Sequence, residues 1–123
     1  MTKVFRDVQV FMNAAGQTTT ENNLTQAELY KELIEEEVTE FWVAEATCDE
    51  VEEIDACFDM IWVIVGYMLS KGYDVDGIWD EGSLSNLKKI DKVTGKVLKR
   101  EDGKVMKPEG WQAPDFSKFT SKQ

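Results

Sequence analysis

The sequence predicts an all-α fold, an antiparallel bundle of about four helices followed by an irregular basic C-terminal arm. Apolar residues recur at helical spacing up to about residue 91, which indicates amphipathic helices. The connections between these segments are short, and short connections favour antiparallel neighbours. Because 123 residues fit the usual size of one domain, we expect a single domain over residues 1–123, with the arm at residues 91–123.

The first two helices are delimited by local signals. An amphipathic stretch at residues 3–15 is followed by Gly16, and glycine is typical of the position after a helix. Thr25 and Glu28 then form a capping box. This motif predicts a second helix from about residue 26 to residue 46.

The last two helices have similar signals. The third is predicted from about residue 50 to residue 70, before Gly72. Two residues offer overlapping N-caps for it, Thr47 and Asp49. The fourth starts after Asp74 or Asp76 and extends to about Asp91.

The C-terminal arm has no helical period. Its Thr94-Gly95 and Asp102-Gly103 pairs predict turns, and the Asp-Gly pair suits a small hairpin. The tail from Trp111 onward contains Pro114 and aromatic residues. We expect it to wrap over the body.

Charge is unevenly distributed along the chain. Residues 1–87 carry 4 basic and 19 acidic side chains, whereas residues 88–107 carry 8 basic and 3 acidic ones. With a net charge of −10, the chain is a poor candidate for binding nucleic acid or an anionic membrane. It has no histidine, which excludes Ser-His-Asp catalysis and histidine zinc sites. Acid–base or metal chemistry must therefore use carboxylates.

Cysteine content and apolar runs bear on location and assembly. Cys48 and Cys57 do not form a disulfide framework, and we expect a reduced, cytoplasmic protein. The longest apolar run, Met60–Leu69, is too short to span a bilayer, which needs about 20 residues. This run also has more apolar surface than one small helix bundle can cover. This predicts a homodimer or homotetramer with the run near the interface.

Carboxylates interrupt the apolar face of the second helix. At about 100° per residue, Glu37 falls in the middle of the stripe that contains Tyr30 and Phe41. Glu40 falls at the margin of the same stripe. A carboxylate on an apolar face is costly unless something pairs with it.

The third helix carries a second acidic stripe, in which Glu52, Asp55 and Asp59 are spaced i, i+3 and i+7. In an antiparallel pair of helices, Glu37 and Glu40 can face Glu52 and Asp55. Such a set of carboxylates suits Mg²⁺ or Mn²⁺, and bundle cores commonly hold sites of this kind.

The competing interpretation is that the acids form solvated helix faces, as acidic runs usually do. This interpretation is favoured for Glu35, Glu45 and Glu53. It stays open for Glu36 and Asp59.

The fourth helix and the arm supply a basic counterpart. Asn86 and Lys89 are spaced i, i+3, and the stripe that Asn86 shares with Trp79 predicts that Asn86 points inward. The eight basic residues between 88 and 107 either balance the charge as a solvated tail or hold phosphates that a metal site presents. Trp79 and Trp111 either stack on a nucleotide base or belong to the hydrophobic core.

Four segments together resemble the all-α nucleotide pyrophosphohydrolases, the MazG-like and phosphoribosyl-ATP pyrophosphohydrolase-like proteins. The segments are LIEEEVTEF, EEIDACFDMIWVIVGYMLSKGYDVD, SNLKK and KREDGKVMKPEGWQAPD. The similarity covers roughly residues 4–115. It implies a MazG-like bundle in which acids bind Mg²⁺ and a nucleoside triphosphate is hydrolysed between the α and β phosphates, giving monophosphate and pyrophosphate.

The resemblance also implies a role for individual residues. Glu37 or Glu40 takes the proton of the attacking water. The expected metal ligands are Glu36, Glu37, Glu40, Glu52, Asp55 and Asp59, with either Asp55 or Asp59 as the last ligand. The expected phosphate-binding residues are Asn86, Lys89, Lys104 and Lys107.

Nucleotide-pool cleaning is the activity we favour from the sequence. A narrower alternative is cleavage of phosphoribosyl-ATP in histidine biosynthesis. The alternative from another class is a non-catalytic acidic helical protein that binds a basic partner or mimics DNA. Mimicry requires charge on the surface, whereas the key acids here are predicted to lie on apolar faces.

Overall fold

The computed structural model describes residues 2–120. They form four α-helices and one short 3-10 helix, which are α1 (Lys3–Ala14), α2 (Leu24–Ala46), α3 (Glu50–Ser70), α4 (Val75–Leu87) and the 3-10 turn Ser117–Phe119. The described residues contain no strand, only two isolated β-bridges. The all-α prediction is therefore confirmed. None of these helices combines the length and the apolar character that a membrane span requires.

The described chain divides into two compact units. The first covers residues 2–76 and the second residues 77–120. The expected extent of a single domain over residues 1–123 stays a prediction.

Most helix ends of the first unit follow the predicted signals. The Asp49 side chain accepts a hydrogen bond from the Glu52 N–H at 3.2 Å, so Asp49 is the N-cap of α3. Gly16 and Gly72 follow α1 and α3 with φ angles of +74° and +71°, a conformation that glycine adopts without strain. Thr47, the other candidate cap, instead ends α2.

The start of α2 differs from the predicted capping box. The side chain of Asn23, not Thr25, caps this helix and accepts the Gln26 N–H at 3.0 Å. The backbone N–H of Asn23 in turn donates to the Ser70 carbonyl at 2.8 Å. This long-range hydrogen bond fixes Asn23 just before the helix, and α2 therefore begins at Leu24.

Helices α1, α2 and α3 build the core of the first unit. α2 and α3 are joined by residues 47–49 and pack along each other, and α1 packs on α3. The buried core consists of Phe5, Val8, Met12, Tyr30, Val63, Val65, Leu69 and Val75. Burial of these apolar side chains is the main source of stability in such a bundle.

A buried amide ties the loop between α1 and α2 to the end of α3. The Gln26 Nε2 donates to the Thr18 carbonyl at 2.7 Å and to the Ser70 hydroxyl at 2.8 Å, while its Oε1 accepts the Thr18 N–H at 2.9 Å. The Ser70 hydroxyl donates to the Gly66 carbonyl at 2.7 Å. These bonds satisfy polar groups that would otherwise be costly to bury.

The second unit contains most of α4 and the arm. The helix ends at Leu87, earlier than the predicted end near Asp91. Asp91 instead turns the chain, because its Oδ1 accepts the N–H groups of Val93 and Thr94 at 2.8 and 3.0 Å. These bonds lower the pKa of Asp91.

The arm folds into a short hairpin, as the Asp-Gly pair predicts. Antiparallel bridges join Ile90 to Val97 and Lys99 to Val105. The Arg100 N–H donates to the Lys104 carbonyl at 2.8 Å across the turn, which contains Gly103 at a φ of +86°.

Candidate functional site

The acidic cluster of the first unit is centred on Glu37. Two of its members, Glu37 and Asp59, are half-buried, and the other two, Glu40 and Asp55, are exposed. Burial, a hydrogen bond with the Glu40 side chain, and the negative charges of Asp59, Glu40 and Asp55 raise the pKa of Glu37 to about 7. The helical stripes read from the sequence therefore meet where α2 faces α3.

Asp59 has a perturbed pKa of its own. Burial raises it, and the charges of Asp55 and Glu40 raise it further, while a hydrogen bond with Glu37 acts in the opposite direction. Asp55 and Asp59 therefore both belong to the cluster. Each of these two candidates for the last ligand is electrostatically linked to Glu37.

One oxygen of Glu37 lacks a partner. Its Oε2 is shielded from solvent, and within residues 2–120 no group forms a hydrogen bond with it. A buried polar atom without a partner is costly and calls for an explanation such as an ion or a water. When the cluster holds a proton, the carboxyl groups of Glu37 and Glu40 can share it.

The donor set fits a hard divalent cation by its chemistry. All four side chains offer carboxylate oxygens, which Mg²⁺ and Mn²⁺ prefer, and no basic residue is among the groups that shift the pKa values of Glu37 and Asp59. Within residues 2–120, however, no three such side chains already stand in an arrangement that could hold a metal ion. Binding would therefore require the carboxylates to turn towards a common point.

The other two acids of the predicted set lie outside this cluster. Glu36 is exposed and lines an open depression on α2 together with Glu32, Glu35, Thr39 and Glu40. Glu52 is exposed in the first turn of α3, where its N–H is bonded to Asp49. Neither contributes to the pKa shift of Glu37.

The predicted phosphate-binding residues lie in the second unit. The Lys89 Nζ donates to the Asn86 Oδ1 at 3.1 Å, so this i, i+3 pair is formed. Asn86 is exposed, and the expectation that it points inward was wrong. The helix instead packs on the tail through Ser85, whose hydroxyl donates to the Gln112 carbonyl at 3.2 Å. Lys104 is exposed at the hairpin turn.

Lys89 and Lys107 meet on a residue whose role the sequence left open. Their Nζ atoms lie 4.9 and 5.2 Å from the centroid of the Trp111 ring. The indole N–H donates to the Ser85 carbonyl at 2.8 Å. No spacing signal predicts this arrangement, because it depends on the path of the arm between Lys89 and Lys107.

A cavity of about 360 Å³ lies next to this group in the second unit. It is lined by one end of α4 and by the tail, including Leu84, Ser85, Lys88, Pro108, Trp111 and Pro114. Its size lies at the lower end of the range of small-molecule sites.

A family model described as phosphoribosyl-ATP pyrophosphohydrolase matches residues 5–86, about two thirds of the chain. None of the curated proteins matches the sequence. The matched segment contains the whole acidic cluster and Asn86, whereas Lys89, Lys107 and Trp111 lie beyond it.

Proposed function

Because the chain belongs to the phosphoribosyl-ATP pyrophosphohydrolase family, we propose that it is a metal-dependent hydrolase that splits nucleoside triphosphates between the α and β phosphates. The products are a nucleoside monophosphate and pyrophosphate, and the role is cleaning of the nucleotide pool. The observation that carries the proposal is the unpartnered, buried Oε2 of Glu37 within a cluster of four carboxylates.

In this proposal the cluster holds Mg²⁺, with Mn²⁺ as a substitute. The ligands come from Glu37, Glu40, Asp55 and Asp59. When bound, the ion neutralises phosphate charge and lowers the pKa of a coordinated water. Burial and the neighbouring carboxylates raise the pKa of Glu37, and a bound cation would offset both effects by favouring the charged carboxylate.

Side chains of the protein accept the proton and stabilise the leaving group. A carboxylate oxygen of Glu37 or Glu40 accepts a proton from the attacking water, because no histidine is available. The water oxygen bonds to the α phosphorus while the bond to the α–β bridging oxygen breaks. Lysine ammonium groups, foremost Lys89 and Lys107, stabilise the negative charge of the departing pyrophosphate.

A second candidate substrate is phosphoribosyl-ATP, which is favoured by the description of the matching family model. The bond that breaks is of the same kind, so the cluster serves both substrates equally well. The two candidates differ in the group attached to the adenine base, which the acids do not contact in this scheme.

Product analysis tests the proposal. The full-length protein is incubated with ribo- and deoxynucleoside triphosphates and, separately, with phosphoribosyl-ATP, each with Mg²⁺ and with EDTA. We expect monophosphate and pyrophosphate only with the metal. Turnover of phosphoribosyl-ATP alone would assign the second candidate, and no turnover of any substrate would overturn the enzymatic proposal.

A matched pair of variants ties the activity to the cluster. Glu37→Gln removes the charge but keeps the shape, and loss of a proton-accepting or metal-binding carboxylate lowers turnover by about 10²–10⁴-fold. Glu45→Gln changes an exposed acid on the same helix and leaves turnover unchanged. Equal effects of the two changes would favour the alternative of a charged partner-binding surface.

We also propose that the chain forms a homodimer or homotetramer. α3 exposes a stripe of large apolar side chains, namely Val51, Ile54, Phe58, Ile61 and Ile64. Ile54 is 70% exposed and Ile61 57% exposed. An apolar stripe of this length is typical of an interface. Within Met60–Leu69, Ile61 and Ile64 belong to this stripe, whereas Val63, Val65 and Leu69 are buried in the core.

A further inference from the structure

We propose that Trp111 is a positioning residue, which holds the ammonium groups of Lys89 and Lys107 together as one pyrophosphate-binding pair. The inference rests on the proposed function, in which these two lysines bind the departing phosphates. It adds a residue outside the acidic cluster and outside the segment matched by the family model.

The indole of Trp111 is held in place by the end of α4. Its Nε1–H donates to the Ser85 carbonyl at 2.8 Å, and the hydroxyl of Ser85 donates back to the Gln112 carbonyl at 3.2 Å. Ser85 is only 6% exposed. The backbone N–H of Trp111 also donates to the Pro108 carbonyl at 3.1 Å, which closes a turn. The ring therefore offers a fixed surface to its neighbours.

Two lysine ammonium groups lie close to the Trp111 ring. The Nζ atoms of Lys89 and Lys107 lie 4.9 and 5.2 Å from the ring centroid, so their separation cannot exceed the sum of these two distances. The electron-rich ring attracts both ammonium groups and offsets part of their mutual repulsion. Without the ring, two like charges on long flexible stems would move apart.

The pair is also free to take an anion. Within residues 2–120, neither Lys89 nor Lys107 forms an ion pair with a carboxylate. An ammonium group has three N–H donors, and Asn86 accepts one from Lys89. The remaining N–H donors of the two ammonium groups suit a ligand with several acceptor oxygens.

The hairpin of the arm brings the second lysine back to the first. The bridges from Ile90 to Val97 and from Lys99 to Val105 fold the chain on itself, and Lys107 follows two residues after Val105. Two neighbouring ammonium groups suit a diphosphate, which carries charge on both phosphoryl groups, better than a single orthophosphate. Preference for pyrophosphate over orthophosphate is thus the property that Trp111 should control.

Isothermal titration of the full-length protein with inorganic pyrophosphate and with orthophosphate, in Mg²⁺ buffer, tests this inference. We expect Trp111→Leu to weaken pyrophosphate binding roughly tenfold, as loss of two cation–π contacts implies, and to reduce the preference over orthophosphate. Trp111→Phe, which keeps an aromatic ring, should restore part of both. Phe119→Leu is the matched control, since it removes the lysine–aromatic contact of Lys118, and should change neither.

The lysine variants separate the two proposals. If Lys89→Met and Lys107→Met weaken pyrophosphate binding while Trp111→Leu does not, the lysines bind phosphate without help from Trp111 and this inference is overturned. If none of the lysine changes matters, or the unmodified protein does not bind pyrophosphate, the phosphate-binding role itself fails. If Trp111→Leu loses its fold, the binding of pyrophosphate and of orthophosphate weakens alike. The ratio of the pyrophosphate affinity to the orthophosphate affinity in the Trp111→Phe variant then decides.

Discussion

The aromatic ring of Tyr30 lies directly against the backbone of Gly66, where α2 crosses α3. A Cβ atom built on Gly66 would overlap the Tyr30 ring, and Tyr30 itself is only 3% exposed. The hydroxyl of Tyr30 donates to the Gln17 Oε1 at 2.7 Å, so the ring is held at both ends. This contact lies between the two helices that carry the acidic cluster.

Gly66→Ala should therefore destabilise the protein. Alanine normally stabilises a helix interior by about 0.5–1 kcal/mol relative to glycine, but overpacking a core costs about 1–3 kcal/mol. Because the ring is buried and anchored, we expect the overlap to dominate, with a net loss of about 1–2 kcal/mol in urea unfolding. The cost should shrink in a Tyr30→Leu background, where the ring is absent. An unchanged cost in that background would contradict the assignment to Tyr30.

Glu37 should make the metal-free protein less stable at high pH. Its pKa is raised to about 7 from the ordinary 4.5, so the folded state holds the proton more tightly than the unfolded state. The resulting stabilisation is complete below pH 4.5 and is lost as pH rises towards 7. In EDTA, Glu37→Gln should raise the melting temperature at pH 8 and change it little at pH 4.5.

The control for this pH dependence is Glu45→Gln, which changes an exposed acid on the same helix. Its effect on the melting temperature should be alike at the two pH values. Addition of Mg²⁺ should stabilise the unmodified protein at pH 8 more than Glu37→Gln, because a ligand that binds the folded state stabilises it. An equal shift of the Glu37→Gln melting temperature at both pH values would refute the buried-charge explanation.

Local signals in the sequence predict the helices of the first unit well. Asp49, Gly16 and Gly72 delimit helices through interactions within a few residues, which a sequence displays. The N-cap of α2 was assigned wrongly because Asn23 is fixed by a hydrogen bond to the distant Ser70. The position of the acidic residues could be predicted for a similar local reason, because helical periodicity alone places Glu37 on an apolar face.

The second unit was harder to predict because its arrangement depends on the path of the arm. Asn86 was expected to point inward from a stripe on its own helix, but the tail packs on Ser85 instead. The meeting of Lys89 and Lys107 on Trp111 joins positions that are far apart in the chain. Only tertiary contacts, and no local spacing, determine it.

Gln26 should contribute strongly to stability, because its amide makes three hydrogen bonds at the end of the bundle. Gln26→Ala leaves polar groups of Thr18 and Ser70 without their partner, at a cost of about 1–3 kcal/mol for a buried group. Urea unfolding measures the loss. Gln112→Ala, at an exposed side chain, is the control and should cost little. A similar effect of both changes would show that the network is not what stabilises the loop.

The exposed stripe of α3 should be needed for assembly but not for folding. Ile61→Asp places a charge in the middle of the stripe, and burial of an unpaired carboxylate in an apolar interface is costly. We expect light scattering with size-exclusion chromatography to show an oligomer for the unmodified chain and a monomer for Ile61→Asp. Val93→Asp, at an aliphatic residue of the arm that is 95% exposed, should leave the mass unchanged. A monomeric mass for the unmodified chain at every concentration would rule out the proposed oligomer, and loss of helical signal in Ile61→Asp would instead assign the stripe to folding.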